Sequence, residues 1–416
     1  GYENMGIAEA KVVALVVENE QAEELMPGVD AIVVLDKTPF YAESGGQAGD
    51  KGVIDTEGGT LRVTSVTKTN DEKWRHMGTV IHGAVSVGAK AVMTVDRHER
   101  LCAERNHSAT HLLQKALRIV LGEHVHQAGS SVTADRLRFD FNHMQAMTKQ
   151  ELRTVEDIVN DAIYNDYPVT TQVLPLEEAK KLGATALFGE KYGDLVRVVK
   201  MGDFSLEFCG GTHVKNTSAV GMFKILHESA VAAGVRRIEA VTGAGARAVY
   251  TGEESILTDV AELFKANYSD VVNKVSNLYT QYKSAVRELE QLKRENAVAD
   301  LDALLAAAEE INGVKVVTGR FDALDPNGLR DLADSLRDKM DVGVVILASS
   351  FGGKAAITAM ATKPAVAKGI HCGNIVKKAA AICGGGGGGR PDMAQAGGKQ
   401  PEKIDEMLTK AKEFLF

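Results

Sequence analysis

The sequence His107-Ser108-Ala109-Thr110-His111 lies in the middle of a stretch whose apolar residues recur at helical spacing. This periodicity predicts a helix over residues 97–121. Because residues four apart share one face of a helix, His107 and His111 are expected to project to the same side. Taken alone, such a pair is more often two surface histidines than a metal site, and the glutamate that follows the first histidine in metalloprotease helices is absent.

A second short motif, Cys209-Gly210-Gly211-Thr212-His213, follows residues 204–208, which are predicted to form a strand. Its two glycines favour a turn, in which Cys209 and His213 can approach each other. Imidazole and thiolate groups are ligands that zinc prefers in a tetrahedral site. We therefore predict a Zn²⁺ site whose ligands are His107, His111, Cys209 and His213. The alternative interpretation is a cysteine nucleophile, with Cys209 paired with His213.

The residues on either side of these motifs differ in pattern. Between residues 1 and 96, short β-branched runs alternate with Gly and Asp clusters at intervals of about ten residues, which predicts a small β-barrel or sandwich. Residues 97–250 combine helical and strand-like segments and predict an α+β domain. One strand is predicted over residues 132–142, with Asp140 on its polar face.

A long helical segment follows. Residues 253–312 contain neither Gly nor Pro, which predicts a helical linker over residues 251–312 with a break near residues 267–270, where Ser269 is a suitable N-cap. A heptad seam runs along this linker, and an intramolecular hairpin explains it as well as a two-chain coiled coil does. The seam residues are Val275, Leu278, Tyr282, Ala285, Leu289, Leu292, Asn296 and Ala299.

Residues 313–416 predict a small α/β domain that contains six consecutive glycines, residues 384–389. We expect no regular element there, because glycine loses the most backbone entropy on ordering. We interpret the run as a loop whose backbone N–H groups contact a phosphate, and a flexible linker is the alternative. Residues 351–416 carry ten Lys and Arg against five Asp and Glu, in a chain of net charge −8, which favours a localised anionic partner.

The composition narrows the class of protein. With 416 residues, of which 44% are hydrophobic and 25% charged, the chain suits about two to four globular domains and is not disordered. No apolar stretch approaches about 18 residues and no secretory signal is found, so we expect neither a membrane span nor export. Four scattered cysteines are typical of the reducing cytoplasm. The predicted fold is an α+β multidomain protein with a small β-barrel, a zinc-containing α+β domain, a long helical linker and a small glycine-rich α/β domain.

The two histidine-containing motifs together resemble those of the editing domain of alanyl-tRNA synthetases, which freestanding alanyl-tRNA editing proteins share and to which a domain of threonyl-tRNA synthetases is related. Residues 36–52 resemble the β-barrel segment before that domain, and residues 234–243 resemble its closing strand. The helical segment and the glycine-rich domain resemble the carboxy-terminal region of these synthetases. The resemblance thus covers nearly the whole chain. It implies the carboxy-terminal half of a bacterial-type enzyme without the ATP-dependent aminoacylation core, and the start at Gly1 rather than Met agrees with a fragment.

This resemblance implies a cytoplasmic activity that deacylates tRNA(Ala) mischarged with serine or glycine. A small apolar pocket rejects an added hydroxyl by only about 10²-fold, so a second, hydrolytic site has a physical reason to exist. The implied partners are tRNA(Ala), the amino-terminal half of the same protein, and a second copy bound through residues 253–416. The alternatives are a freestanding editing factor and a non-catalytic tRNA-binding or dimerisation module with structural zinc.

Serine must be distinguished from alanine by a hydrogen bond to its hydroxyl group. The predicted catalytic residues are Cys209, Thr110 and Gln127, and the predicted substrate-binding residues are Ser130, Thr212, Arg236 and Arg237. The two arginines point to opposite faces of a strand, so that one is expected to meet the terminal phosphates of the tRNA. The candidates for binding the tRNA body are Lys377, Lys378, Gly385, Gly387 and Arg390. Because four protein ligands complete a tetrahedron, either one ligand yields on substrate binding or the metal only positions the substrate.

Overall fold

The structure, a computed structural model, describes residues 8–185, 193–299, 301–322 and 324–416, and the side chains of residues 8 and 293–299 lie outside that description. It separates into two compact units, residues 1–259 and 260–416. The predicted α+β multidomain class is confirmed. The boundary between the units falls inside the predicted helical linker, and the finer division into four domains stays a prediction. Within the described ranges, no helix combines the length and apolar character needed to cross a membrane.

The first part of unit one is a closed β-barrel. Its strands are β1 Ala8–Val17, β2 Glu20–Ala22, β3 Glu24–Leu25, β4 Asp30–Leu35, β5 Gly52–Thr56, β6 Gly59–Lys68, β7 Trp74–Gly83, β8 Val85–Ser86 and β9 Lys90–Val95. The antiparallel order β1-β4-β7-β6-β5-β9 closes by pairing of β9 with β1, while β2 pairs antiparallel with the end of β1 and β3 pairs with β8. Buried and exposed residues alternate along β9, because successive side chains of a strand point to opposite faces.

The second part of unit one surrounds a long helix. Its elements are α1 Arg97–Leu121, β10 Gln127–Val132, β11 Leu137–Asn142, α2 Lys149–Tyr164, β12 Val169–Pro175, α3 Leu176–Lys181, β13 Leu195–Met201, β14 Ser205–Phe208, β15 Phe223–Ala232, β16 Val235–Thr242 and α4 Gly243–Leu263, of which residues 260–263 belong to unit two. One sheet has the order β10-β11-β16-β15, and a smaller one has the order β12-β13-β14. The predicted helix over residues 97–121 is confirmed, with Asp96 as its N-cap.

The single strand predicted over residues 132–142 is wrong. The chain turns at residues 133–136, where Thr133 N donates to Arg136 O at 3.0 Å, so that β10 and β11 form a hairpin. Asp140, which was expected on the polar face, is buried because Arg237 from the neighbouring strand donates two hydrogen bonds to its carboxylate, at 2.7 and 2.8 Å.

A buried ion pair fastens α1 to the barrel. Arg100 Nε donates to Asp50 Oδ1 at 2.7 Å, and Arg100 Nη2 contacts the other oxygen of the same carboxylate. Tyr41 N donates to Asp50 Oδ2 at 2.7 Å. Glu104 lies 3.8 Å from the Arg100 guanidinium. Burial raises the pKa of Glu104 to about 7, against the opposing effect of the Arg100 charge.

Unit two is built on a mixed sheet. Beyond the end of α4 its elements are α5 Val271–Ala299, α6 Leu301–Ala306, β17 Glu309–Ile311, β18 Val314–Asp322, α7 Pro326–Asp338, β19 Gly343–Phe351, β20 Lys354–Ala361, α8 Lys363–Ala367, α9 Cys372–Ile382, β21 Gly386–Gly389, β22 Met393–Gly398 and α10 Ile404–Ala411. The sheet order is β17-β18-β19-β20-β22-β21, in which β18 and β19 are parallel. Helices α9 and α10 share one hydrophobic core with the sheet, and α6 and α7 share another.

The glycine run contradicts the expected loop. Residues 386–389 form the edge strand β21, paired with β22. A Cβ on Gly387 would lie 2.2 Å from Ala396 Cβ, and a Cβ on Gly389 would lie 2.5 Å from Ala394 Cα. Strand pairing offsets the entropy cost that led to the prediction of a loop, and the close approach to β22 is the reason that glycine is required.

The helical segment is interrupted where the sequence predicts a break, but the prediction that it extends to residue 312 is wrong, because Glu309–Ile311 form β17 and pair with β18. Helix α4 ends at Leu263, a 3₁₀ turn covers Tyr268–Asp270, and α5 begins at Val271. The prediction of Ser269 as N-cap is wrong, because Ser269 lies within the turn and Asn267 precedes it. Five apolar seam side chains of α5 are 43–64% exposed, and the choice between hairpin and coiled coil stays open. They are Val275, Leu278, Tyr282, Leu289 and Leu292. The side chains of Asn296 and Ala299 lie outside the described residues.

Replacing Arg100 by alanine should destabilise unit one by about 3–5 kcal/mol, because removal of one partner leaves the Asp50 carboxylate buried without its counter-charge. The exposed Arg97, three residues earlier on the same helix, provides the control, and Arg97→Ala should cost under about 1 kcal/mol. Urea unfolding followed by circular dichroism measures both. Equal losses in the two variants would contradict the assignment.

The barrel should lose stability in mild acid through His76. This residue is fully buried, with Nδ1 2.9 Å from Val33 O and Nε2 2.8 Å from Thr38 Oγ1. Burial lowers its pKa to about 4, partly opposed by the hydrogen bond to Val33. The unfolded chain therefore takes up this proton near pH 6.5 and the folded chain does not. The contribution of His76 to the free energy of unfolding is complete above pH 6.5 and falls by about 3 kcal/mol as the pH drops towards 4.

Urea unfolding at pH 7 and pH 5 tests this expectation. His76→Gln should lower the pH dependence of the free energy of unfolding by about 2 kcal/mol over that interval. The variant His82→Gln, at an exposed position on the same strand, should keep the wild-type dependence. An unchanged pH dependence in His76→Gln would rule out His76 as its source.

Candidate metal centre

Three imidazoles and one thiol converge inside unit one. Helix α1 supplies His107 and His111, which are 4% and 8% exposed, and the turn after β14 supplies Cys209 and His213. Their potential ligand atoms all lie within 4.8 Å of one another. The structure thus brings together the four side chains predicted as ligands, in a group that can hold a metal ion.

A hydrogen-bonding group on a different residue orients each imidazole through its Nδ1 atom. Glutamine and glutamate oxygens can only accept, so the rings facing them carry the proton on Nδ1. This leaves Nε2 of those rings as the ligand atom, the arrangement usual for metal-binding histidines. The pairs are His107 Nδ1 with Gln47 Oε1 at 2.7 Å, His111 Nδ1 with Glu207 Oε2 at 2.5 Å, and His213 Nδ1 with Ser108 Oγ at 3.2 Å.

The Nε2 atoms face the sulfur of Cys209. His107 Nε2 lies 3.4 Å and His213 Nε2 3.2 Å from Sγ. His111 Nε2 is buried and has no hydrogen-bonding partner among the described residues. A tetrahedral zinc ion requires ligand atoms about 3.3–3.8 Å apart. The two sulfur–nitrogen distances are close to this value, and all four ligand atoms lie within 4.8 Å of one another. The orphaned nitrogen and the soft donor set therefore fit zinc.

The electrostatics of the cluster favour a thiolate. Burial raises the pKa of Cys209, but the nearby His107, His213 and His111 outweigh it and hold that pKa well below the ordinary value. Burial lowers the pKa of His111, but Glu207 and Cys209 outweigh it and raise that pKa well above the ordinary value. For His213 burial dominates and lowers the pKa to about 3.

The turn that carries Cys209 is shaped by its surroundings. Arg197 Nη1 donates to Cys209 O at 2.8 Å and to Gly211 O at 2.9 Å. A Cβ on Gly211 would lie 2.0 Å from His107 Cε1, so only glycine leaves room for the imidazole. Gln47 Oε1 also accepts from Thr212 N at 2.9 Å. The barrel therefore holds both the helix and the turn of the cluster.

A cleft of about 300 Å³ opens onto the cluster. Its lining consists of Ser44, Gly45, His107, Thr110, His111, Gln127, Ser130, Gly193, Leu195, Val196, Arg197, Phe208, Cys209 and Gly210. The structure thus places the predicted residues Thr110, Gln127 and Ser130 around one opening with Cys209. Thr212 is buried outside this lining, and its hydroxyl accepts from Gln47 Nε2 at 2.7 Å.

The two predicted arginines are engaged in ion pairs. Arg236 Nε donates to Glu228 Oε1 at 2.5 Å, and Arg237 is paired with Asp140. Neither lines the cleft. Their predicted contact with tRNA phosphates stays a prediction without support from this geometry.

The candidates for binding the tRNA body lie in unit two. Lys377 and Lys378 are exposed on α9, and Gly385, Gly387 and Arg390 are exposed in and around β21. Arg390 Nε lies 3.2 Å from Asp392. These positions are accessible to a partner, and their role stays a prediction.

Sequence reasoning missed four residues of the site: Gln47, Ser108, Arg197 and Glu207. Ser108 lies within the helix motif, and Gln47 within the segment 36–52 that carries part of the resemblance. Glu207 is a buried acid in a short strand that also contains Leu206 and Phe208, and such a residue usually has a partner. Only this last signal was available from the residue type and its predicted strand.

Comparison with known proteins gives consistent matches. Residues 1–99 match the family model described as tRNA synthetases class II (A), residues 196–239 match the Threonyl and Alanyl tRNA synthetase second additional domain, and residues 313–415 match the DHHA1 domain.

Individual relatives agree. The chain is 53% identical over 408 residues to an alanine–tRNA ligase of Acetivibrio thermocellus and 46% identical over 408 residues to that of Bacillus subtilis, covering 98% of this chain and 46% of each relative. The chain thus spans about half the length of the curated relatives it matches. The solved C-Ala domain of Aquifex aeolicus alanyl-tRNA synthetase is 33% identical, covers 26% of this chain and 96% of that one, and has a TM-score of 0.25.

The orienting residue Gln47 should control metal affinity. Gln47→Leu removes the acceptor of His107 Nδ1, and loss of such a partner typically costs about 10–100-fold in metal affinity. Competition with a chromophoric chelator measures the zinc dissociation constant, after elemental analysis of the purified protein has shown about one zinc per chain. Gln21→Leu, at an exposed position of the same barrel, is the control. Protein that retains no zinc, or an affinity unchanged in Gln47→Leu, would contradict the assignment.

Proposed function

The chain belongs to the alanine–tRNA ligase family and aligns with the carboxy-terminal half of its members, and we propose that it hydrolyses tRNA(Ala) esters mischarged with serine or glycine. The observation that carries this proposal is the cluster of three imidazoles and one thiol at the base of a cleft lined by hydroxyl and amide side chains. Deacylation by this half is the editing activity, and aminoacylation belongs to the other half of the protein.

The reaction explains why such a cleft is needed. An aminoacylation pocket for alanine cannot exclude the smaller glycine, since a missing methyl group changes rates by only about 10–200-fold. It rejects serine only weakly as well, because an added hydroxyl changes rates by about 10²-fold. A second site that accepts both and spares alanine therefore corrects the product. Glycine enters by size, whereas serine requires a hydrogen bond that alanine cannot make.

The hydrogen bonding of Thr110 supports its role in recognising the hydroxyl group of a serine substrate. Its own proton is donated to Asn106 O at 2.8 Å, one turn earlier on α1, which leaves oxygen lone pairs able to accept from a serine hydroxyl. Gln127 lines the same cleft, and its side chain has no hydrogen-bonding partner within the described ranges. Both groups are therefore free to recognise a polar substrate.

Hydrolysis breaks the bond between the amino acid carbonyl carbon and the ribose oxygen, with water adding to the carbonyl and a proton passing to the ribose. A bound zinc ion would polarise that carbonyl or lower the pKa of the water. The four ligands would be His107, His111, Cys209 and His213, held in place by the hydrogen bonds on the Nδ1 atoms. The protein otherwise contributes position and the exclusion of bulk water from a cleft of about 300 Å³.

A second mechanism, with Cys209 as nucleophile, is favoured by one observation, the 3.2 Å distance between Cys209 Sγ and His213 Nε2. His107, His213 and His111 also hold the pKa of this thiol well below its ordinary value, against the opposing effect of burial. A nucleophile needs one base, however, whereas three imidazoles surround this sulfur, and the Nε2 of His111 has no hydrogen-bonding partner in the part of the chain that the structure describes. We therefore propose the metal site. A non-catalytic module with structural zinc remains the rival, because four protein ligands leave no open position.

The wider assembly follows from the family. We propose that unit two binds the body of tRNA(Ala) through Lys377, Lys378, Gly385, Gly387 and Arg390. We also propose that aminoacylation is performed by a segment matching the amino-terminal half of the relatives, and that the exposed seam of α5 supports a homodimer. A cytoplasmic location fits four cysteines that are all free thiols. Removal of the residues after 312 measures how much the last domain contributes to tRNA binding. The truncated protein should bind tRNA more weakly and with a smaller salt dependence of the affinity, since fewer counterions are released.

Deacylation of seryl-, glycyl- and alanyl-tRNA(Ala) tests the function and its selectivity. Wild-type protein should release serine and glycine and spare alanine, and Cys209→Ala should abolish release. Thr110→Val or Gln127→Leu should slow serine release by about tenfold, the effect of one lost hydrogen bond of roughly 1–1.5 kcal/mol, with glycine release nearly unchanged. Absence of wild-type activity would refute the function, and a Ser-to-Gly rate ratio within twofold of wild type in both variants would exclude these side chains from selectivity.

A further inference from the structure

A second cleft of about 410 Å³ lies next to the metal cluster in unit one and carries three cationic side chains, Lys115, Arg118 and Lys200. Both clefts follow the groove between α1 and the β13–β14 hairpin. Glu207, which is hydrogen-bonded to His111, lines this second cleft, and His111 lines the first. The His111–Glu207 pair therefore forms the wall between them.

The spacing along α1 suits a strand of RNA. Lys115 and Arg118 lie about 6 Å and 10 Å beyond His111 along the helix axis, at ~1.5 Å per residue. An ester held at the cluster sits on the last ribose of its strand, so the phosphates that precede this ribose, on its 5′ side, are the nearest strong charges. At about 3.4 Å per phosphate along one stacked strand, these distances correspond to roughly two and three nucleotides.

The cationic groups are available to an anion. Lys115 has no ion-pair partner among the described residues. Lys200 Nζ lies 3.1 Å from Asp203, whose side chain is fully exposed, and Arg118 contacts Glu123, whose side chain is 77% exposed. Pairs with such exposed acids contribute little and exchange readily.

Arg118 also shows an unmet hydrogen bond. Its Nη1 donates to Thr185 Oγ1 at 3.4 Å, but its Nε is buried and has no partner within the described ranges. A buried donor without an acceptor points to a missing ligand, water or ion. A phosphate accepts two parallel hydrogen bonds from a guanidinium, including one from Nε.

We propose that this cationic cleft binds the phosphodiesters next to the esterified ribose and so aligns the RNA strand that carries the mischarged amino acid. The proposal rests on the proposed deacylase function. It assigns Lys115, Arg118 and Lys200 to substrate binding and leaves the chemistry to the cluster. Loss of one cation should raise KM for the RNA ester and leave kcat nearly unchanged.

The test is a double-mutant cycle that combines removal of a positive charge from the protein with removal of negative charges from the RNA. The substrates are a seryl-RNA hairpin of the acceptor stem and the same hairpin with uncharged methylphosphonates at the two linkages nearest the ester. For wild-type protein the neutral linkages should lower kcat/KM about tenfold. Lys115→Ala and Arg118→Gln should lower kcat/KM for the natural hairpin about tenfold, with a smaller salt slope, and show little further loss on the neutral hairpin.

The outcomes separate the two proposals. No hydrolysis of the natural hairpin by wild-type protein refutes the deacylase function itself. If wild-type protein is active but the losses in kcat/KM caused by the variants and by the neutral linkages multiply independently, the phosphate contact is overturned while the function stands. The same conclusion follows if neither variant loses activity. Lys149→Ala, at an exposed position on α2, is the matched control and should match wild type on both hairpins. Circular dichroism and zinc content of each variant exclude an effect through folding or metal loss.

Discussion

The burial of α1 is the constraint on which the rest of the site depends. Leu112, Leu113 and Leu117 are fully excluded from solvent and pack against Phe139 and Phe141 of the neighbouring sheet. Each such side chain stabilises the fold by about 2 kcal/mol, so the helix cannot rotate without a large loss. With its rotation settled, the helix presents two imidazoles at a set angle to the turn after β14, and the same face continues into the second cleft.

The orientation of the rings is determined by groups from three different parts of unit one. The barrel supplies Gln47, strand β14 supplies Glu207, and α1 itself supplies Ser108. Each acts on the ring atom that faces away from the centre. The Nε2 atoms are therefore positioned by the protein alone, and an arriving ion needs little rearrangement of its ligands.

Much of the fold and site follows from local rules. The bounds of α1 and the pairing of His107 with His111 depend on helical spacing, which a sequence displays directly. Gln47 could not be identified in this way, because 60 residues separate it from the ring that it orients and no spacing rule relates them. The glycine run was misjudged for a similar reason: its regularity comes from β22, a strand whose close approach is a tertiary fact.

The attachment of the barrel to α1 has a consequence for the evolution of the domain organisation. Arg100 and Gln47 bind across the boundary at residue 96 in opposite directions, one from the helix into the barrel and one from the barrel into the cluster. A recombination event that separated the two segments would break a buried charge pair and release one ring of the cluster. Selection should therefore pass the barrel and the metal-binding segment on together, whatever other domains are gained or lost around them.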